Sequence, residues 1–192
     1  MSGCLGPVCA DVASGYSRPL ADIPRASLLN RGYTSGNKLN MPLPFHVSCS
    51  HPSDATFFQL QDRRFQFIRE APLAPFMAGF GYLLVERSFG DYLRGLGLER
   101  VGIESAVIWN RRTDENLLTH DSVSIGQSFQ VDQINDLNTD GPRLLVLGKE
   151  YVFASPELQQ MLIYSPFNWL TFTKGLSGFV GEAESGTDGA LG

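Results

Sequence analysis

Charge, cysteine and long apolar runs are all scarce in this chain. Only 18% of its 192 residues are charged, below the quarter or so usual for a soluble domain. Lys and Arg total 15 against 20 Asp and Glu, a net charge of −5. An acidic chain with so few bases is a poor platform for nucleic acid, whose binding rests on neutralising phosphates. The three cysteines, Cys4, Cys9 and Cys49, are odd in number, and two of them sit near the N-terminus. That spacing excludes a disulfide framework. An apolar, uncharged run, residues 71–85, is interrupted by Pro72, Pro75, Gly79 and Gly81 and is too short to span a bilayer. The opening MSGCLGPVCADVASG has neither a basic start nor a continuous apolar segment, so no secretory signal is expected. The expectation is a soluble, cytoplasmic protein with neither a membrane nor a nucleic acid as partner.

What the chain does have is aromatic residues, 11% of the total, and enough length to bury a substantial core in one domain. Residues 1–20 show no sustained period and are expected to be poorly ordered. Asp22-Ile-Pro24 carries the start signals of a short helix through Leu29. From Asn30 to Ser53 turn formers are dense, and no long regular element is expected there. In Thr56 to Arg69 apolar and polar residues alternate on either side of Asp62-Arg63, which predicts two strands and a tight turn.

A longer pattern occurs twice. Residues 82–104 and 151–173 align without a gap: Tyr82 falls on Tyr151, Leu84 on Phe153, Phe89 on Leu158, Leu93 on Leu162, Val101 on Leu170 and Ile103 on Phe172. Both copies read as strand, cap, short amphipathic helix, strand. In the first, Gly95 and Gly97 stop the helix, and 101–109 is expected to return as one strand. In the second, Ser155, Pro156 and Glu157 are an N-cap, a first-turn proline and an acidic first turn, and Pro166 ends the helix. Arg143 to Leu147 predicts a strand, Gly148-Lys149 a hairpin turn, and residues 176–192 a flexible acidic tail. Together these predict one α+β domain over residues 21–175. Its sheet would be mixed or mostly antiparallel, with two short helices packed on it.

Ligand-type residues cluster once, in His46-Val-Ser-Cys49-Ser-His51. A metal site would need a further ligand from Cys4, Cys9 or His120, and the spacing matches no standard zinc pattern. The same residues could supply a Cys49 nucleophile with a histidine base, but no nucleophile turn surrounds Cys49. The plain reading is a loop with incidental His and Cys. Gly79-Phe-Gly81 lacks the third glycine and the downstream acid of a dinucleotide loop.

The pattern Tyr151-Val-Phe-Ala-Ser155-Pro-Glu-Leu158-Gln-Gln-Met-Leu162, with Trp169-Leu-Thr-Phe172 after it, resembles the strand, "Ser-Glu-Arg-Leu" turn and helix of bacterial immunity proteins from polymorphic toxin systems. In the first copy, Val85-Glu-Arg-Ser88 has the same residue types in shifted order. The resemblance covers about half the chain, residues 80–173. It implies a cytoplasmic protein that neutralises a cognate secreted toxin domain by stoichiometric occlusion, with no enzymatic activity and no cofactor. On that reading Asp132, Asp136 and Asp140, at every fourth residue, and Asp114 with Glu115 would meet a basic toxin surface. Trp109 and Tyr164 would be aromatic anchors, with core packing as their alternative role. The competing function classes are a small enzyme or metal- or ligand-binding protein using His46, Cys49 and His51, and an adaptor or chaperone for a secreted effector.

Overall fold

The computed structural model describes residues 42–179, which lie within one compact unit. Residues 1–20, the Asp22–Leu29 helix, Cys4 and Cys9 lie outside the described residues, as does the tail beyond Phe179. The strands run β1 Phe45–Cys49, β2 Thr56–Gln59, β3 Phe65–Arg69, β4 Phe76–Gly79 and β5 Tyr82–Glu86. Helix α1 Arg87–Leu96 follows, then β6 Val101–Ser105, β7 Ile108–Asn110, β8 Glu115–Leu117, β9 His120–Ile125 and β10 Ser128–Phe129. A 3-10 turn at Val131–Gln133 leads to β11 Leu144–Leu147, β12 Tyr151–Ala154, α2 Pro156–Ile163 and β13 Leu170–Lys174. The fold is α+β.

The aligned stretches fold alike. The order β4-β5-β9-β6 forms one sheet, and β11-β12-β1-β13, with β10 added at the edge, forms another. In each, a hairpin leads into a helix, and one strand separates the strand after the helix from the strand before it. The intervening strand comes from elsewhere in the chain: β9 separates β5 from β6, and β1 separates β12 from β13. Their registers are equivalent. Val123 lies opposite Ile103 and Ile125 opposite Val101, just as Val47 lies opposite Phe172 and Cys49 opposite Leu170. Backbone hydrogen bonds repeat as well. Glu86 N–H donates to the Pro75 carbonyl at 2.8 Å, and Ser155 N–H to that of Arg143 at 3.0 Å. Gly126 N–H reaches Arg100 and Ser50 N–H reaches Trp169, both at 2.8 Å. The molecule is therefore a twofold internal repeat in which each half lends one strand to the sheet of the other.

Pleat alternation sends one face of both sheets into a shared core. Val47 and Val123, Phe76 and Leu144, Leu83 and Val152, and Val85 and Ala154 occupy equivalent buried positions. From the helices come Phe89 and Leu93 on α1, and Leu158 and Leu162 on α2. The copies interlock there: the Phe89 ring packs 4.9 Å from Phe167 and 5.3 Å from Trp169, and the Tyr92 hydroxyl donates to the Met161 carbonyl at 3.4 Å. Each fully buried side chain of this size stabilises by about 1.5–3 kcal/mol.

The helix ends show how the sequence sets the boundaries. Ser155 caps α2 by accepting the Leu158 N–H at 3.3 Å, with Pro156 at the first position. The helix stops at Ile163, because a residue preceding proline avoids helical geometry and Pro166 follows. In α1, Gly97 at φ 61° supplies the left-handed C-terminal turn. Glu86 at its N-terminus makes no side-chain cap.

Two expectations need correction. Residues 101–109 are two strands in different sheets, β6 beside β9 and β7 beside β3. The apolar positions change phase at buried Ala106, from odd (Val101, Ile103) to even (Ala106, Ile108), and that phase break is the change of sheet. The His46 to Cys49 segment is a central strand rather than a loop. Its turn-rich flanks concealed an alternation that only the strands on either side complete.

The opposite faces of the two equivalent sheets are covered differently. Over the first, Met77 and Leu84 pack under a third sheet, order β2-β3-β7-β8, with Phe57, Phe65 and Ile108. Over the second, the equivalent Leu145 and Phe153 pack under Phe129 of β10 and Ile134 and Leu137 of the irregular segment that follows it.

Candidate functional site

That irregular segment alternates between inside and outside. Ile134, Leu137 and Thr139 are buried, while Asp132, Asp136 and Asp140 between them are exposed. The inward residues anchor a rib whose outer edge is acidic. A capping box fixes its start, with Gln130 N–H donating to Gln133 Oε1 at 2.9 Å. Near its end, Asp140 N–H donates to Asn138 Oδ1 at 2.9 Å, and Arg143 Nε–H donates to the Asp140 carbonyl at 2.7 Å. Among the described residues, none of the three Asp carboxylates lies in an ion pair, and Arg143 pairs instead with Glu99 at 3.4 Å. The sequence from Thr113 to Pro142 contains no Lys or Arg. Among the described residues, this edge therefore presents uncompensated negative charge.

Beside the rib runs a groove of about 570 Å³, lined by Phe80, Gln130, Val131, Leu147, Lys149, Tyr151, Leu176 and Phe179. Phe80, at the tip of the β4–β5 hairpin, is 75% exposed, and Val131 of the 3-10 turn is also exposed. The Lys149 ammonium sits 5.6 Å from the Phe80 ring. Phe179 is held by the hydrogen-bonded turn after β13, its N–H donating to the Leu176 carbonyl at 2.9 Å, and its ring lies 4.6 Å from Tyr151. Large apolar side chains gathered in one concave place are a recurrent mark of an interaction surface.

His46 forms part of the groove's support. Its ring lies 4.8 Å from Phe179, 5.4 Å from Phe153 and 6.0 Å from Tyr151. Burial among these rings lowers its pKa below the ordinary histidine value. Cys49 is three residues further along the same strand, so the pleat puts it on the other face, against the shared core. Its thiol approaches the His51 carbonyl at 3.4 Å, and His51 is exposed. His120 is buried in β9, with Nε2 3.0 Å from the Ala74 carbonyl and Nδ1 2.8 Å from Thr119 Oγ1. Those side chains do not converge. Among the described residues, no group of three or more His, Cys, Asp or Glu is placed to hold a metal.

The remaining candidates lie on the third sheet. Asp114 occupies the tip of the β7–β8 turn at φ 57° and accepts the Trp109 indole N–H at 3.0 Å. Glu115 accepts from the Thr113 hydroxyl at 3.1 Å. The Arg64 guanidinium lies 4.6 Å from the centre of the half-buried Trp109 ring. Thus the structure unites Trp109, Asp114 and Glu115 on one covering and Asp132, Asp136 and Asp140 on the other. Tyr164, at the C-terminal end of α2, is 84% exposed and belongs to neither.

Sequence reasoning missed the groove, because Phe80, Val131, Tyr151 and Phe179 come from four separate segments. The only local signal was Phe80, a large aromatic between two glycines.

No protein-family model, no curated protein and no solved structure matches the chain. Among the described residues, no helix is long and apolar enough to cross a membrane.

Proposed function

We propose that this protein is a cytoplasmic immunity protein that binds and neutralises a cognate secreted toxin domain by stoichiometric occlusion, with no catalytic step of its own. The observation that carries this reading is the pairing, among the described residues, of an acidic rib whose carboxylates lie in no ion pair with an exposed aromatic groove beside it. Many toxin domains that act on polyanionic targets need a basic active-site surface. Uncompensated carboxylates attract such a surface, raise the rate of encounter and fix the orientation of docking. Phe80, Tyr151 and Phe179 then supply the apolar contact that holds the complex, because a few well-packed aromatic side chains dominate most interfaces. The strand, Ser155-Pro-Glu-Leu turn and helix supports the same reading, as the element that resembles immunity proteins.

The test is co-expression with the toxin domain encoded beside the gene. Growth should be rescued and a one-to-one complex should co-purify. Exchanging Asp132, Asp136 and Asp140 together for Asn should slow association by about tenfold or more. If growth is not rescued and no complex forms, the proposal fails. A complex whose toxin keeps full activity would favour the adaptor or chaperone reading.

A further inference from the structure

We propose that the free edge of β4 is a docking edge, to which the toxin domain adds an extended segment as a further strand, parallel to β4 and leading into the aromatic groove. This deepens the function proposed above and rests on it. The internal repeat supplies the template. β4 and β11 are equivalent strands, and each has one side turned away from its hairpin partner. On β11 that side carries β10, which runs parallel to it with Ser128 beside Val146 and Phe129 beside Leu147. The Val146 N–H donates to the Gln127 carbonyl at 3.0 Å, and the Gly148 N–H to the Phe129 carbonyl at 3.2 Å. On β4, among the described residues, that side carries no strand. β6 and β13 are also edges, but they are equivalent to each other and both free, so the comparison singles out β4.

The ladder fixes where the unused groups point. Glu86 N–H donates to the Pro75 carbonyl, and Ala78 lies three residues on, opposite Leu83. Alternation therefore turns the Ala78 N–H and C=O away from β5. Ala78 and Phe80 are the counterparts of Val146 and Gly148, and both are exposed. Among the described residues, neither N–H has a hydrogen-bond partner. Such a row of unused backbone groups is a template for another strand. The segment that would have filled it is drawn elsewhere. Counting on from Ser50, the counterpart of Gly126, Pro52 and Ser53 stand where Ser128 and Phe129 stand in the other copy. The Ser53 hydroxyl donates to the Pro72 carbonyl at 2.6 Å and accepts the Ala55 N–H at 2.9 Å. That leads the chain into β2 and leaves a cleft of about 220 Å³ between this segment and β4.

Position selects the toxin's strand as the occupant. Glu150 and Tyr151 line both this cleft and the aromatic groove, so the edge is continuous with the surface proposed to meet the toxin. A strand parallel to β4 runs from the cleft toward Phe80 and enters the groove there. β10 sets its register: one carbonyl accepts the Ala78 N–H, and the carbonyl two residues further on accepts the Phe80 N–H. Val47, Cys49, Phe76 and Met77 line the cleft, so the segment is a β-forming one with an apolar side chain turned inward. Backbone pairing then fixes direction and register, while the rib carboxylates act on the rate of encounter.

Amide hydrogen exchange and affinity, measured with the toxin domain, test this. In the free protein the Ala78 and Phe80 amides should exchange fast, and those of Val146 and Gly148 slowly. In the complex Ala78 and Phe80 should slow by about a hundredfold or more. Ala78→Pro removes an outward N–H at a place where an edge strand tolerates proline. It should weaken binding by about tenfold with the urea midpoint near that of wild type, whereas Ala78→Ser, which keeps the N–H, should bind as wild type does. Val146→Pro, at the filled edge, should lower the urea midpoint. Exchange is read on the wild type, so it decides the matter even if Ala78→Pro fails to fold. Ala78 and Phe80 amides protected in the free protein would overturn the proposal, because the chain would then cover this edge itself. So would a neutralising complex in which both amides stay fast, or a folded Ala78→Pro that binds as tightly as wild type. These last two results leave the immunity function standing. Absence of any complex would end both.

Discussion

On their inner faces the two halves of the molecule are near copies, and on their outer faces they have nothing in common. Val47 and Val123, Phe89 and Leu158, and Leu93 and Leu162 do the same work at the same places in one shared core. Outside, Leu84 lies under a regular four-stranded sheet, whereas its counterpart Phe153 lies under an irregular acidic rib. The contrast separates scaffold from recognition. A repeated element that buries one face against its own copy leaves that face unavailable to a partner. The coverings are where no symmetry constrains the residues. Those coverings also differ in charge: one is balanced and the other is negative.

The largest effects should come from breaking the likeness. Phe89→Ala should cost about 3–5 kcal/mol and Leu158→Ala about 2–5 kcal/mol. Both should lower a single cooperative urea transition, because Phe89 packs on Phe167 and Trp169 of the other copy. Two separate transitions would mean that the copies fold independently.

A smaller effect should distinguish the copies. Asp121 is wholly buried in β9, where Arg94 of α1 holds its Oδ2 at 2.7 Å, and Arg87 Nε lies 4.0 Å from Oδ1. Arg94 also pairs with Asp91. Gly90 makes room for the carboxylate, since a Cβ there would collide with it. In the second copy the residues at these places are Phe45, Ile163 and Gln159, and no such pair exists. Arg94→Ala should cost about 3 kcal/mol, because it leaves a buried charge poorly compensated. Ile163→Ala, at the matching but half-exposed position, should cost no more than about 1 kcal/mol. Equal losses in the denaturation curves would remove this distinction.

Helix capping gives a finer comparison. Ser155→Ala should cost about 1–2 kcal/mol, since its hydroxyl also accepts the Arg143 N–H at 3.0 Å and donates to the Gly141 carbonyl at 2.6 Å. Glu86→Ser, which installs the missing cap on α1, should raise stability by about 0.5–1 kcal/mol.

The smallest effect is in the pH dependence. The folded pKa of His46 is lowered, so the unfolded chain binds its proton more readily. Stability is then full above the ordinary value of 6.5 and falls as the pH drops from there toward the lowered value. Replacing His46 with Phe should flatten that part of the stability profile. If the slope persists unchanged in denaturation curves across this range, His46 is not its source.

The repeat, its two helices and the Ser155 cap were legible in the sequence, because periodicity, proline and glycine act over a few neighbouring residues. What the sequence concealed was assembly. Nothing local says that β1 inserts between β12 and β13, or that β9 inserts between β5 and β6. For that reason His46 and Cys49 read as a loop rather than as opposite faces of a central strand. The acidic candidates were legible as residues, but their division between two coverings was not. It depends on which inward neighbours, buried Ile134 and Leu137 or buried Ile108 and half-buried Leu117, turn each segment.

The central proposal is that recognition uses the acidic rib and the groove beside it rather than the shared core. Its most direct test is the affinity of the purified toxin domain for the wild type and for the variant carrying Asn at 132, 136 and 140. The variant's own stability should stay within about 0.5 kcal/mol of wild type, while its association slows about tenfold or more and the salt dependence of the rate flattens. An unchanged rate with an unchanged salt dependence would contradict the account.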